Sequence, residues 1–150
     1  MSARMSEALD LARAQDDFSA LIGQIPYARF LGMQARRVED HVHFQLPHQD
    51  QLIGNARLPA LHGGVVAAFM ENAALLYVLW AQAETRLPKS IDFSIDYLRS
   101  ARTRDCWAQC EVTRQGRRVA QAQVRCWQDD PERPIALARA HFLLQEPSAA

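Results

Sequence analysis

Leu61-His62-Gly63-Gly64, followed without a break by Val65-Val66-Ala67-Ala68-Phe69-Met70-Glu71-Asn72-Ala73-Ala74-Leu75-Leu76-Tyr77-Val78-Leu79-Trp80, decides how this chain is read. Two adjacent glycines at the start of an apolar run allow another group to approach the backbone closely. The first N–H groups of a helix have no intrahelical acceptor, so they form a ready place for developing negative charge. Glu71 lies eight residues beyond Gly63, ~12 Å along a helix axis at ~1.5 Å per residue. A carboxylate among apolar neighbours is costly unless it is solvated, paired or useful. Gly63, Gly64 and Glu71 are therefore the candidate catalytic groups.

Working outward, the segment from Pro47 to Pro59 is polar and carries a proline at each end, which reads as a loop placed to deliver binding residues to the helix start. Before it, Met33–Val38 and His41–Leu46 read as a hairpin around Glu39-Asp40, the second strand alternating Val42, Phe44 and Leu46 with His41, His43 and Gln45. From Glu7 to Ile25 the positions Leu11, Phe18, Leu21, Ile22 and Ile25 recur at helical spacing, predicting one or two amphipathic cover helices. The central helix is expected from about Gly63 to Thr85. After Pro88 the period becomes two, with Ile91, Phe93, Ile95 and Tyr97 on the face expected to be buried. Strands over 105–114, 118–128 and 134–144 follow, joined by Gln115-Gly116 and Asp129-Asp130-Pro131, so an antiparallel meander is expected. One face of the last two strands reads Ala120, Ala122, Val124, Cys126 and Ala136, Ala138, Ala140, Phe142, a small-residue surface on which a bulky helix can sit closely.

The 150 residues suit one domain with a core of its own, since 49% are hydrophobic. Seventeen basic residues balance seventeen acidic ones, so no global field favours nucleic acid or an anionic membrane. The N-terminal stretch lacks the apolar core of a secretory signal, and three cysteines without Cys-x-x-Cys spacing suit a reducing compartment; a cytoplasmic location is expected. The apolar run has the length of a membrane span, but Glu71, Asn72 and the strands that follow make it a buried core helix rather than a membrane segment. Cys106 and Cys110 fall on the core face of their strand, as small hydrophobes. His41, His43, His48 and His141 show no metal-ligand spacing, and no metal or cofactor is expected.

A hairpin, a long helix opening at His-Gly-Gly with an acid eight residues after the first glycine, and then the strand Ile91-Asp92-Phe93-Ser94-Ile95-Asp96-Tyr97-Leu98-Arg99 together resemble the hotdog-fold acyl-CoA thioesterases of the phenylacetyl-CoA and hydroxybenzoyl-CoA thioesterase type. The likeness runs from about Phe30 to Leu144. It implies an α+β hotdog fold, a long central helix wrapped by a curved antiparallel sheet, over residues 30–146, with an N-terminal helical segment over 1–29 as cover. It also implies hydrolysis of an acyl-CoA thioester to free acid and CoA at a subunit interface, in a homodimer or dimer of dimers. In that reading the N–H of Gly63 or Gly64 polarises the thioester carbonyl, Glu71 activates water or attacks directly, and His62 holds the loop by hydrogen bonds. Asn55 is the candidate for the polar residue that often precedes His-Gly-Gly. Where the family commonly has Pro and later Gly-Asp after the arginine, this chain has Ser100 and Arg104-Asp105.

Arg99, Arg102 and Arg104 cluster near a strand end, where guanidinium forks suit the phosphates of CoA. Phe69, Met70, Leu75, Tyr77 and Leu79 are candidates for an acyl tunnel. Trp107 and Trp127 fall on strand faces opposite the alanine-rich surface, which reads as an interface, while Trp80 reads as core. Two other functions fit the same pattern. A hotdog hydratase or dehydratase would want a His paired with Glu71, and a non-catalytic acyl-CoA binding module would bind without turnover.

Overall fold

The long apolar helix and the alanine-rich strand faces meet in the computed structural model, which describes residues 1–82 and 85–146. Three short helices open the chain: α1 (Ala3–Gln15), α2 (Ser19–Gly23) and α3 (Pro26–Phe30). Asp16 closes α1 in the left-handed conformation at φ 54°, the Asp17 carboxylate accepts from the N–H and hydroxyl of Ser19, and Pro26 starts α3. Two helices, α1 and α2, occupy the stretch from Glu7 to Ile25 as expected, and α3 adds a third just beyond it. The hairpin β1 (Gln34–Val38) and β2 (His41–Leu46) follows, turning through Glu39 at φ 53°.

The segment expected as a plain loop is more ordered. It forms a 3₁₀ turn (Asp50–Leu52) and a small hairpin of β3 (Ile53–Asn55) and β4 (Ala60–Leu61). The central helix α4 (Gly63–Ala81) ends four residues earlier than Thr85, because Gln82 is already extended at ψ 139°; residues 83–84 lie outside the described residues. Beyond it run β5 (Leu87–Tyr97), β6 (Cys106–Gln115), β7 (Val119–Trp127) and β8 (Ala136–Gln145).

The six long strands form one antiparallel sheet in the order β1-β2-β6-β7-β8-β5. Only β6, β7 and β8 make the expected meander. β5 crosses to pair with β8, and β2 takes the place beside β6. Alternation specifies which face of a strand is buried but not which strand lies next to it, so this crossover leaves no local trace.

The helix lies where volumes match. Ala120, Ala122, Ala136 and Ala140 are fully buried, as are Phe69, Met70, Ala73 and Leu76 of α4. Leu9, Ala12, Phe18 and Leu21 from the N-terminal helices join the same core. Arg13 ties α1 to the far end of α4, its guanidinium donating to the carbonyls of Leu79, Trp80 and Gln82 at 2.8–3.2 Å. A cation there answers the orphan carbonyls and the negative end of the helix dipole. Cys106, Cys110 and Cys126 are buried free thiols, as expected of small hydrophobes, and burial pushes the Cys110 thiol well up.

β5 departs from the expected single buried face. A register shift between Ser90 and Asp92 and its place at the edge of the sheet leave Ile91 and Tyr97 more than half exposed, while Phe93 and Ile95 pack against the core. The tryptophans divide too. Trp127 is buried, with the His43 ring edge-on at 5.2 Å, whereas half-buried Trp107 lies under the Arg36 guanidinium at 4.7 Å. Trp80 packs against Phe18 and Tyr77 at the core's margin.

Candidate active site

The start of α4 is built by three tethers. The His62 N–H donates to the Leu52 carbonyl and the Leu61 N–H to Ala101, both at 2.9 Å, so the turn hangs between the 3₁₀ segment and the crossover after β5. His62 then caps the helix: its Nδ1 accepts the Gly64 N–H at 2.9 Å. As acceptor, Nδ1 carries no proton, and the neutral ring holds its hydrogen on Nε2. His62 thus caps the helix with its own side chain. Gly54 makes room for it: a Cβ at Gly54 would fall 2.6 Å from His62 Cα.

This capping separates the two glycines. The Gly64 N–H is taken by His62, while the Gly63 N–H has no acceptor within the protomer among the described residues. The next residues' N–H groups, of Val65 and Val66, both reach the His62 carbonyl. Gly63 is therefore the free donor at this end of the helix. It opens onto a cavity of about 380 Å³ lined by Leu61, Val66, Tyr97, Arg99 and Ile135 among others. Tyr97, which alternation alone assigned to the core, stands at this cavity and donates its hydroxyl to the Gly63 carbonyl at 2.7 Å. No local signal in the sequence marks it, because its partner lies 34 residues away.

Further along α4, Gly64, Ala67, Ala68, Glu71, Asn72 and Leu75 form one face at i, i+3, i+4 spacing, and none of them is buried by the protomer's own core. Glu71 sits midway, half-buried, with no hydrogen-bond or ion-pair partner among the described residues. Asn72 beside it donates to the Ala68 carbonyl at 2.8 Å.

The remaining expected contacts spread out. The Asn55 side-chain oxygen accepts the N–H groups of Arg57 and Leu58 at 3.0 and 3.2 Å, so it shapes the β3–β4 turn. Arg99 donates to the Pro134 carbonyl, and the Nη1 of Arg104 donates to both Asp129 carboxylate oxygens at 2.7 and 2.8 Å. Arg102 alone of the three has a guanidinium without a partner among the described residues. Phe69, Met70 and Leu79 fill the core, while Leu75 and Tyr77 remain half-covered. A larger concavity of about 880 Å³ lies over the solvent face of β5–β8, lined by Ser94, Asp96, Glu111, Arg125 and Arg139 among others, and holds none of the sequence-selected site residues.

Comparison with known proteins places the chain in a family. Residues 58–135, from the β3–β4 turn through α4 to the threshold of β8, match the family model for the thioesterase superfamily. A medium/long-chain acyl-CoA thioesterase of Escherichia coli is 29% identical, over 80% of this chain and 86% of its own. A solved protein of Chromobacterium violaceum is 38% identical and superimposes with a TM-score of 0.76 over 97% of this chain and all of its own. A thioesterase of Haemophilus influenzae, 16% identical, shares the fold at a TM-score of 0.74 over 99% of this chain and 95% of its own. The family model covers more than half of the chain, and with these relatives it shows that the chain belongs to the thioesterase superfamily, a thioester hydrolase with the hotdog fold.

Proposed function

We propose that this enzyme hydrolyses acyl-CoA thioesters of medium or long chain to the free acid and CoA, with Gly63 as the oxyanion donor and Glu71 as the base or nucleophile. The observation that carries the reading is the Glu71 carboxylate, without a partner among the described residues, at the middle of a face of α4 that its own core leaves open. The chain-length choice rests on the relative from Escherichia coli, whose name gives that substrate class.

In this reading the two groups act from different subunits. An oxyanion donor lies about 3 Å from its oxygen, and an attacking atom about 3–3.5 Å from its carbon. Through the carbonyl bond of about 1.2 Å, a directly attacking carboxylate oxygen lies at most roughly 7.5 Å from the donor, and a base acting through one water at most roughly 10 Å, while within one protomer Gly63 and Glu71 are ~12 Å apart along the helix axis. A second copy, its helix antiparallel to the first, supplies the missing half: Gly63 of one subunit faces Glu71 of the other. Ala67 and Ala68 allow that helix to come close, and β5 offers an eleven-residue edge strand with exposed Ile91 and Tyr97 for the same two-fold contact.

In each site the thioester carbonyl accepts from Gly63, and negative charge grows on its oxygen as the carbon becomes tetrahedral. Glu71 either removes a proton from attacking water or attacks the carbon itself to give a mixed anhydride that water then opens. Thiolate leaves in both routes. Arg102, whose guanidinium has no partner among the described residues, is the candidate for the CoA phosphates. The buried free thiols fit the reducing cytoplasm in which we place the enzyme.

The test is release of free CoA thiol from aryl-, short-, medium- and long-chain acyl-CoAs by the wild type and by Glu71→Gln. Turnover greatest on the longer acyl chains and lost in Glu71→Gln supports the reading. Binding without turnover on every ester selects a binding module, and water addition to an enoyl-CoA selects a hydratase.

A further inference from the structure

We infer that Tyr97 is a positioning residue for the thioester-cleaving step, one jaw of a clamp that fixes the direction of the Gly63 N–H. The inference rests on Gly63 being the oxyanion donor. Between Gly63 and Gly64 the backbone has two successive residues without a Cβ, the junction of α4 least able to hold its own dihedral angles. Both polar atoms of the peptide linking them are held by side chains. Its carbonyl accepts the Tyr97 hydroxyl at 2.7 Å, and its N–H donates to His62 Nδ1 at 2.9 Å.

The preceding peptide, which carries the Gly63 N–H, is anchored through its carbonyl by the N–H groups of Val65 and Val66 at 3.0 and 3.2 Å. With both neighbouring planes fixed, the free N–H is aimed before substrate arrives, as a preorganised oxyanion donor requires. The Tyr97 ring also leaves space for a small side chain at Gly63, since an added Cβ would meet it at 3.4 Å. Tyr97 and Gly63 line the same cavity. Tyr97 sits on β5 and His62 at the end of the β3–β4 segment, so two separate elements close on one peptide.

The experiment uses Tyr97→Phe, which keeps the ring against Gly63 and deletes only the hydroxyl. Two unreactive CoA ligands accompany the kinetics: a thioether, which has no carbonyl oxygen, and a trifluoromethyl ketone, whose hydrated carbonyl mimics the tetrahedral intermediate. The clamp predicts kcat lower by roughly tenfold, part of the 10²–10³ that a whole oxyanion donor provides, with KM within about twofold. Affinity for the ketone should fall by the same factor as kcat, while thioether affinity and Tm stay at the wild-type values.

An unchanged kcat overturns the inference. So does an equal loss of affinity for both ligands or a lowered Tm, which makes Tyr97 a structural support only. Should the wild type cleave no acyl-CoA and bind the ketone no tighter than the thioether, the oxyanion role of Gly63 fails and the clamp fails with it; a wild type that passes that test while Tyr97→Phe changes nothing removes the clamp alone.

Discussion

Replacing Gly63 with proline isolates the oxyanion donor, because the local backbone is already suited to proline. Proline is favoured at the first helical position, where its missing N–H breaks no intrahelical bond. The residue before it must be extended, and His62 is, at φ −64° and ψ 128°. A side chain on Gly63 meets the Tyr97 ring at 3.4 Å, an ordinary contact. The variant should fold with a Tm at or above the wild-type value, since exchanging glycine for a compatible proline stabilises by ~0.4–1 kcal/mol through the unfolded chain.

Its kcat should fall by about 10²–10³, equivalent to ~2.7–4 kcal/mol of lost transition-state stabilisation. Gly63→Ala is the control: it adds a similar contact but keeps the N–H, and should retain kcat within roughly tenfold. Free-thiol release at saturating acyl-CoA, with a thermal melt of each variant, measures both quantities. A folded Gly63→Pro enzyme with wild-type kcat would refute the assignment of Gly63, and with it the reasoning that its unpaired N–H is the working one.

Other consequences follow from the same contacts. Gly54→Ala drives a Cβ into His62 backbone at 2.6 Å, which should cost about 1–3 kcal/mol of overpacking and reduce kcat by moving the cap, whereas Gly23→Ala, with nothing within 4 Å, should be neutral or slightly stabilising in the same melt. Arg13→Met keeps the packing stem but strips the C-terminal carbonyls of α4 of their cation; a loss of about 1.5–3 kcal/mol, at ~2–4 °C of Tm per kcal/mol, is expected, and limited proteolysis should release α1 first. His43 holds its proton less readily than usual because its ring is partly buried, an effect opposed by the Gln109 side chain and reinforced by Arg36 and His41. The unfolded chain therefore takes up the proton first as pH falls: stability is complete above the ordinary histidine value near ~6.5, declines below it, and levels off once the folded-state value is passed. Denaturant titrations across that window should show a smaller decline for His43→Gln; identical slopes would remove His43 as the cause.

The sequence was legible where chemistry is local. His62-Gly63-Gly64 marks the helix start, Glu71 stands out against its apolar neighbours, and Ala120, Ala122, Ala136 and Ala140 declare a face made for close packing. The position of β5 beside β8 was not legible, because a strand's alternation is the same whichever neighbour it pairs with. The two- and three-residue strands β3 and β4 were missed for a related reason: elements so short are held by tertiary bonds, such as His62 to Leu52, rather than by propensity. Tyr97 and Gly54 were hidden because their importance lies in contacts across the fold, 34 residues to Gly63 in the first case and one Cβ's width from His62 in the second. Neither glycine of the pair could be preferred until the capping bond of His62 showed which N–H was spent.

Co-expression of Gly63→Pro and Glu71→Gln chains tests most directly whether hydrolysis is shared between two subunits. Each variant alone should be nearly inactive on acyl-CoA. Random pairing makes about half of the dimers mixed, and each mixed dimer has one site with both groups intact, so about a quarter of wild-type thiol release should return. Activity that stays at the level of the separate variants would contradict a site built from Gly63 of one subunit and Glu71 of the other.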